Sequence, residues 1–255
     1  MKNLLFTSIA FFLITIECKS QFNLKQFELH GKIRSIKVKD FEPIDRFGEI
    51  TNGKLLYGYD IYYFNLMGNV TERDGYYFDS FSLETKNLFK DIYKYDFNGN
   101  TIDFSTYNSE GILNSKETYS YRHIGKDIEC ITYKVDGNIK GKKVSKYNKN
   151  RNIIEDLLCD SNGTSVLKFT YKYDLNGNQI EQKMFDRDGV LIERENVKYN
   201  NIGMKVERIV KNFQENSYFE VTYEYELDEK RNWIKRNLFS NGKPHEIEER
   251  IIEYY

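Results

Sequence analysis

The sequence has little of what marks most protein chemistries. Its three histidines, His30, His123 and His245, are far apart, and no HExxH, Cys-x-x-Cys or phosphate-loop pattern occurs. No cofactor, metal or catalytic residue is therefore expected. Charge of one sign is also missing. The 38 Lys+Arg stand against 39 Asp+Glu, a formal net charge of −1, which argues against a nucleic-acid binder. Only one long apolar run occurs, Leu4 to Ile16. It is too short to span a bilayer of roughly 30 Å, which needs about 20 residues. With Lys2 before it and Cys18 and Ser20 after it, residues 1–20 read as a signal peptide cleaved between Ser20 and Gln21. A lipoprotein acylated at Cys18 is the alternative, disfavoured by Glu17 where a small residue is wanted. The expected location is secreted, periplasmic or cell-surface, with no membrane span in the mature chain.

What the chain does have is aromatic residues, 21 Tyr and 18 Phe, too many for a disordered protein. The tyrosines are periodic. Tyr95, Tyr121, Tyr147, Tyr173, Tyr199 and Tyr225 follow one another at 26-residue steps. Four residues after each stand Gly99, Gly125, Arg151, Gly177, Gly203 and Glu229. A second series runs Tyr107, Tyr133, Cys159, Phe185, with turn glycines Gly111, Gly137, Gly163 and Gly189. Asp or Asn opens each turn and can bond the backbone two residues on, while Gly at the fourth position accepts positive φ. Between turns the residues alternate, as in Ile180-Glu181-Gln182-Lys183-Met184, and so short a spacing leaves no room for helices. The prediction is an all-β fold: an antiparallel meander of 26-residue double-hairpin repeats, about a dozen strands from Tyr93 to Tyr255, forming a twisted or spiralling sheet.

The alternation also sorts the two faces. One carries an acidic column (Asp103, Glu129, Glu155, Glu181, Glu207) and a basic one (Lys116, Lys142, Lys168, Arg194). If Asn108 faces Gly111 across its hairpin, Asp103 lies opposite Lys116, and the later pairs match in turn. These charges read mainly as a solvated face that holds the register. The opposite face, with Phe104, Tyr119, Tyr121, Phe169, Tyr171, Met184 and Val197, needs a cover. Either the sheet coils on itself or a partner buries it. In this register Cys130 lies on the apolar face and Cys159 on the other, too far apart to bridge, so two free thiols are expected. Residues 21–63 read as an N-terminal β cap and residues 64–255 as the repeats, the last strand bearing charges suited to a sheet edge.

These repeats resemble the YD-repeat (Rhs-type) family. Tyr173-Asp174-Leu175-Asn176-Gly177-Asn178-Gln179-Ile180 and Tyr95-Asp96-Phe97-Asn98-Gly99-Asn100-Thr101-Ile102 carry the likeness, with weaker copies at Tyr147-Asn148 and Asn232-Trp233-Ile234. The chain is further similar to small exported bacterial proteins that join a start like Gly31-Lys32-Ile33-Arg34 to a final strand like Glu253-Tyr254-Tyr255. The resemblance implies a spiralling β shell, export and a loose link to carbohydrate binding. About six units are too few to enclose a toxin-sized cargo. The functional expectation is a non-enzymatic binding or interaction scaffold of the bacterial envelope, its partner an envelope protein or a glycan. A carbohydrate-binding module with Tyr107 and Tyr133 as ligand contacts is the second reading, and a glycan-active enzyme using the acidic column the third.

Overall fold

The computed structural model describes residues 22–79, 84–124, 127–134 and 136–255. The expected signal peptide and Gly125 lie outside them. A 3-10 helix at Leu24–Phe27 precedes sixteen strands among the described residues. The first are β1 (Ile33–Arg46), β2 (Glu49–Phe64), β3 (Val70–Asp79), β4 (Glu84–Tyr95), β5 (Thr101–Asn108) and β6 (Leu113–Ile124). Next come β7 (Asp127–Tyr133), β8 (Ile139–Tyr147), β9 (Ile153–Cys159), β10 (Ser165–Tyr173) and β11 (Gln179–Asp186). The last are β12 (Leu191–Tyr199), β13 (Lys205–Asn212), β14 (Ser217–Leu227), β15 (Trp233–Ser240) and β16 (Lys243–Tyr254).

Every neighbouring pair is antiparallel, and β1 bonds to β16 as well as to β2, so the meander closes into an up-and-down barrel. The all-β meander implied by the periodicity is present, and the sheet covers its own apolar face by closing. This corrects the reading of β16 as a charged edge. It is paired on both sides, so its charges have no edge to protect. At about 4.8 Å between strands, sixteen strands make a wall about 25 Å across before tilt, wide enough to leave a lumen.

The turn chemistry is as expected. Asp96, Asn108, Asp174 and Asp186 each use one side-chain oxygen to accept from the N–H groups two and four residues on. The fourth position has positive φ throughout, supplied by Gly99 and Gly177 but also by Arg151 (φ 62) and Arg231 (φ 64). Arg231 exposes a correction. Leu227 opposes Trp233 as Tyr95 opposes Thr101, so the last turn is 228–232 and the final step is 28 residues. Tyr225 therefore sits two residues short of the turn, and Glu229 is not its left-handed residue.

The register differs from the expected one by two residues. Asn108 closes its turn on Ile112 rather than Gly111, and a bulge follows between Thr106 and Tyr107. Each event shifts the pairing by one; together they restore the faces but change the partners. Asp103 now opposes Lys94 and Thr118, Glu155 opposes Lys146 and Thr170, and Glu181 opposes Lys172 and Asn196. The direct partner of the acidic column is thus the lysine that precedes a repeat tyrosine, except at Glu129, which faces Arg122 just after Tyr121. Lys146–Glu155 (2.6 Å), Lys172–Glu181 (2.9 Å) and Lys198–Glu207 (2.7 Å) are such pairs. Lys116–Asp103 (2.9 Å) and Arg194–Glu181 (3.5 Å) survive as diagonals.

Residues 22–30 show which face is inside. Glu28 pairs with Lys205 of β13 (3.2 Å), Phe27 O accepts from Arg250 of β16, and the Phe22 ring meets Tyr93 of β4 at 5.3 Å. Those strands span half the ring, and so short a segment joins them only across the lumen. The face with Tyr62, Tyr93 and Arg250 is therefore internal, and the register carries the aromatic face inward and the Lys/Glu columns outward. The buried cluster of Leu29, Ile33, Ile36, Phe64, Val70 and Tyr93 lies where residues 22–30 enter. Cys159 is a free, buried thiol. Cys130 is disulfide-bonded, which corrects the expectation of two free thiols.

Candidate functional site

The site this architecture offers is the lumen and its two mouths. Alternate turns of an up-and-down barrel share a rim. The turns 65–69, 96–100, 148–152, 174–178, 200–204 and 228–232, each following an even-numbered strand, form what we term the tyrosine rim. The turns 47–48, 109–112, 160–164, 187–190, 213–216 and 241–242 form the far rim.

The repeat tyrosines build the first of these. Tyr121 donates to Thr101 O (2.6 Å), Tyr173 to Ile153 O (2.7 Å) and Tyr199 to Gln179 O (2.9 Å), while Tyr95 donates to Val70 O. Each hydroxyl ties the end of one strand to the start of the strand before it. Burial pushes these phenols up, so they remain protonated donors. These four hydroxyls brace the rim.

The same rim is closed by residues 22–30. Asn23 caps the 3-10 helix, and Gln26 completes a capping box. Val70 N–H donates to Phe22 O (2.8 Å) and Leu24 N–H to Gly68 O (2.9 Å). Phe27 packs on Tyr62 at 4.8 Å and Phe64 at 5.6 Å. Asn232, fully buried, accepts from His30 N–H (2.7 Å) and donates to His30 O (3.0 Å). Arg250 donates to Phe27 O (2.6 Å) and lies 3.3 Å over the Trp233 ring. Burial and the facing Arg236 pull its guanidinium down to about 9.

Deeper in, the lumen is ionic. Arg73 pairs with Asp60 (2.8 Å) and Asp91 (3.6 Å), Arg208 with Glu195 (2.8 Å), and Arg236 with Glu248. Sequence reasoning missed these arginines, although a signal existed. Arg73, Arg208 and Arg236 each stand nine residues after the turn-closing Phe64, Tyr199 or Leu227, a single repeat position. Toward the far rim the balance turns acidic. Asp40 opposes Glu248, and burial, then Glu248 and Asp60, push its carboxyl up to about 6. Glu246 is pushed up to about 7 by burial, then by Asp40 and Glu248. Asp40 Oδ1 is buried without a hydrogen-bond partner.

A cleft of about 420 Å³ opens at the tyrosine rim between turns 148–152 and 174–178. Ile154, Tyr171, Tyr173 and Leu175 form its apolar part, and Asn148, Asn150 and Asn152 its amide side. The sequence-predicted contacts lie elsewhere. Tyr107 and Tyr133 are on the outer wall near the far rim, on β5 and β7 with β6 between them. Their rings are half-buried, and Tyr133 meets Ser120 Oγ at 3.4 Å. The acidic column is likewise external and ion-paired. Among the described residues no three His, Cys, Asp or Glu side chains gather as a metal site, and no helix is long and apolar enough to cross a membrane.

No family model matches the chain, and no curated protein matches it. Among solved structures, a porin-like protein from Bacteroides uniformis superposes with a TM-score of 0.56 at 13% identity, covering 87% of this chain and 96% of that one. The likeness is one of fold. A porin-like protein from Bacteroides vulgatus (TM-score 0.30, 11% identity, 88% and 99% covered) and the TcdB2-TccC3-Cdc42 structure (TM-score 0.29, 13% identity, 74% and 12% covered) superpose too loosely to carry an argument.

Proposed function

We propose that this chain is an exported, non-enzymatic binding scaffold of the bacterial envelope, of YD-repeat type, which presents its lumen rather than its outer wall to a partner. The carrying observation is the contrast between the two faces. Outside, the acidic column is neutralised pair by pair, mainly by the lysines that precede the repeat tyrosines. Inside, Asp40 and Glu246 stand with raised carboxyls beside arginines and aromatic rings. The outer columns also support a wall standing in water, since a lipid-facing wall carries an apolar band about 25 Å tall. The envelope setting draws on the leader-like residues 1–20 and on the porin-like neighbour.

Envelope fractions passed over the immobilised chain from residue 21 onward test the reading. A partner retained by the Tyr107→Ala, Tyr133→Ala variant and lost by Asp40→Asn, Glu246→Gln supports lumenal binding. The reverse pattern overturns it. Non-enzymatic action is favoured by the state of the acidic column. Burial alone would push Glu181 up, but hydrogen bonds from Lys172 and Lys183 outweigh it and hold the carboxyl below its usual range. A glycosidase acid needs the opposite.

A saccharide reading keeps one specific support, moved from Tyr107 and Tyr133 to the rim cleft. Tyr171 and Tyr173 are held there by bonds to Asp156 (3.1 Å) and Ile153 O, beside asparagine amides. Glycan-array binding lost on Tyr171→Ala would support it, and silence across a broad array would remove it.

A further inference from the structure

We propose that the tyrosine rim is a docking surface for an anionic lipid bilayer, on which the barrel stands upright. The turns of this rim spend their first, fourth and fifth residues on their own hydrogen bonds and positive φ, leaving the second and third free to point outward. Those tips are apolar in four turns. Leu66, Met67, Phe97, Leu175 and Ile202 are all exposed, Phe97 and Leu175 almost entirely. Among the described residues, the far-rim turns of the same five-residue form have the tips Ser109-Glu110, Ser161-Asn162 and Arg187-Asp188; the exposed apolar side chains of that rim, Phe47, Ile112, Val190 and Phe213, stand at other turn positions or in turns of other lengths. The same turn thus carries apolar tips at one end of the barrel and polar tips at the other, so turn formation does not explain the difference.

Charge is polarised in the same sense. Between the apolar tips of the tyrosine rim lie the exposed cations Lys149, Arg151, Lys230 and Arg231, with Lys25 beside them, against one exposed tip anion, Glu229. The near-zero net charge of the chain conceals this. Two of the cations are placed against local preference. Arg151 and Arg231 occupy the left-handed position that glycine fills in the sister turns, at φ 62 and 64. A side chain there is strained, and the fold gains no hydrogen bond from it that glycine would forfeit. Apolar tips ringed by cations match an interfacial surface, where the tips enter the headgroup region and the cations meet lipid phosphates. This surface is independent of the lumen.

The test is vesicle sedimentation with the chain from residue 21 onward, which holds all sixteen described strands and lacks the apolar run Leu4 to Ile16. Binding is expected to vesicles of phosphatidylcholine mixed with phosphatidylglycerol, weakening as salt rises, and not to phosphatidylcholine alone. Phe97→Ser with Leu175→Ser should weaken it by about tenfold or more, and Phe47→Ser on the far rim should leave it unchanged. Arg151→Gly with Arg231→Gly is the discriminating variant. It restores the repeat's own glycine, so the protein should melt no lower than the parent while binding falls by about fivefold per cation. Equal binding to neutral and anionic vesicles, no binding to either, or an undiminished affinity in the glycine variant overturns the proposal. So does a dimer that disappears in Phe97→Ser, Leu175→Ser without vesicle binding, which assigns the rim to a second copy.

Discussion

The two rims are built from one turn and have opposite characters. At the tyrosine rim, hydroxyls bridge neighbouring hairpins, residues 22–30 fill the mouth, and Trp233, Asn232 and Val70 are buried. At the far rim the second-series tyrosines face outward, and the lumen beneath holds Asp40 and Glu246. A repeated turn therefore fixes where the chain reverses but not what the reversal is for. The difference follows from which face the aromatic before each turn occupies.

Substitutions that treat the rims alike would break this comparison. The largest effect is expected for Trp233→Ala, which empties a fully buried site and should cost about 3–5 kcal/mol, read as a large fall in Tm. Phe47→Ala on the far rim should stay within about 0.5 kcal/mol. Equal losses would erase the distinction. Next, Tyr199→Phe removes a hydroxyl-to-carbonyl bond and should cost about 1 kcal/mol in urea melts, whereas Tyr107→Phe should cost almost nothing.

A pH series sharpens the far-rim side. Asp40 and Glu246 hold their protons more tightly folded, at about 6 and about 7, than unfolded. Their protonation therefore contributes stability that is fully present below about pH 4 and lost as pH rises through about 6 to 7. Tm should accordingly fall across that window. Glu246→Gln should flatten the fall and gain about 1 kcal/mol near neutral pH, after allowing for solvent screening. A Tm that rises through the window in the parent would reverse the assignment. The smallest effect is expected for Arg151→Gly, which relieves the left-handed strain for about 0.5 kcal/mol.

Much of this was legible in the chain. Tyr173-Asp174-Leu175-Asn176-Gly177-Asn178 states its own turn, because Asp, Asn and Gly act on atoms at most four residues away. Glu181 and Met184 declare opposite faces for the same reason, since alternation is a property of one strand. The partner of Glu181 was not legible. It depends on a turn closing one residue late and on a bulge, two local events whose effects add across the hairpin. Tyr225 misled because the last step lengthens from 26 to 28, and an unbroken tyrosine spacing hid the shift.

The lumenal site was largely hidden. Arg73, Arg208 and Arg236 share a repeat position only once the turns are aligned correctly, and Asp40 meets Glu248 only because β1 pairs with β16. Asp40 and Glu246 lie some two hundred residues apart, and no spacing rule connects them. Local hydrogen bonding and side-chain alternation made turns, strands and faces readable from residues near one another in the chain. Closure, the inward sense of the aromatic face and the company of the buried carboxylates arise from contacts between the chain's two ends. Their energy comes from burial and long-range pairing, which no short window of sequence contains.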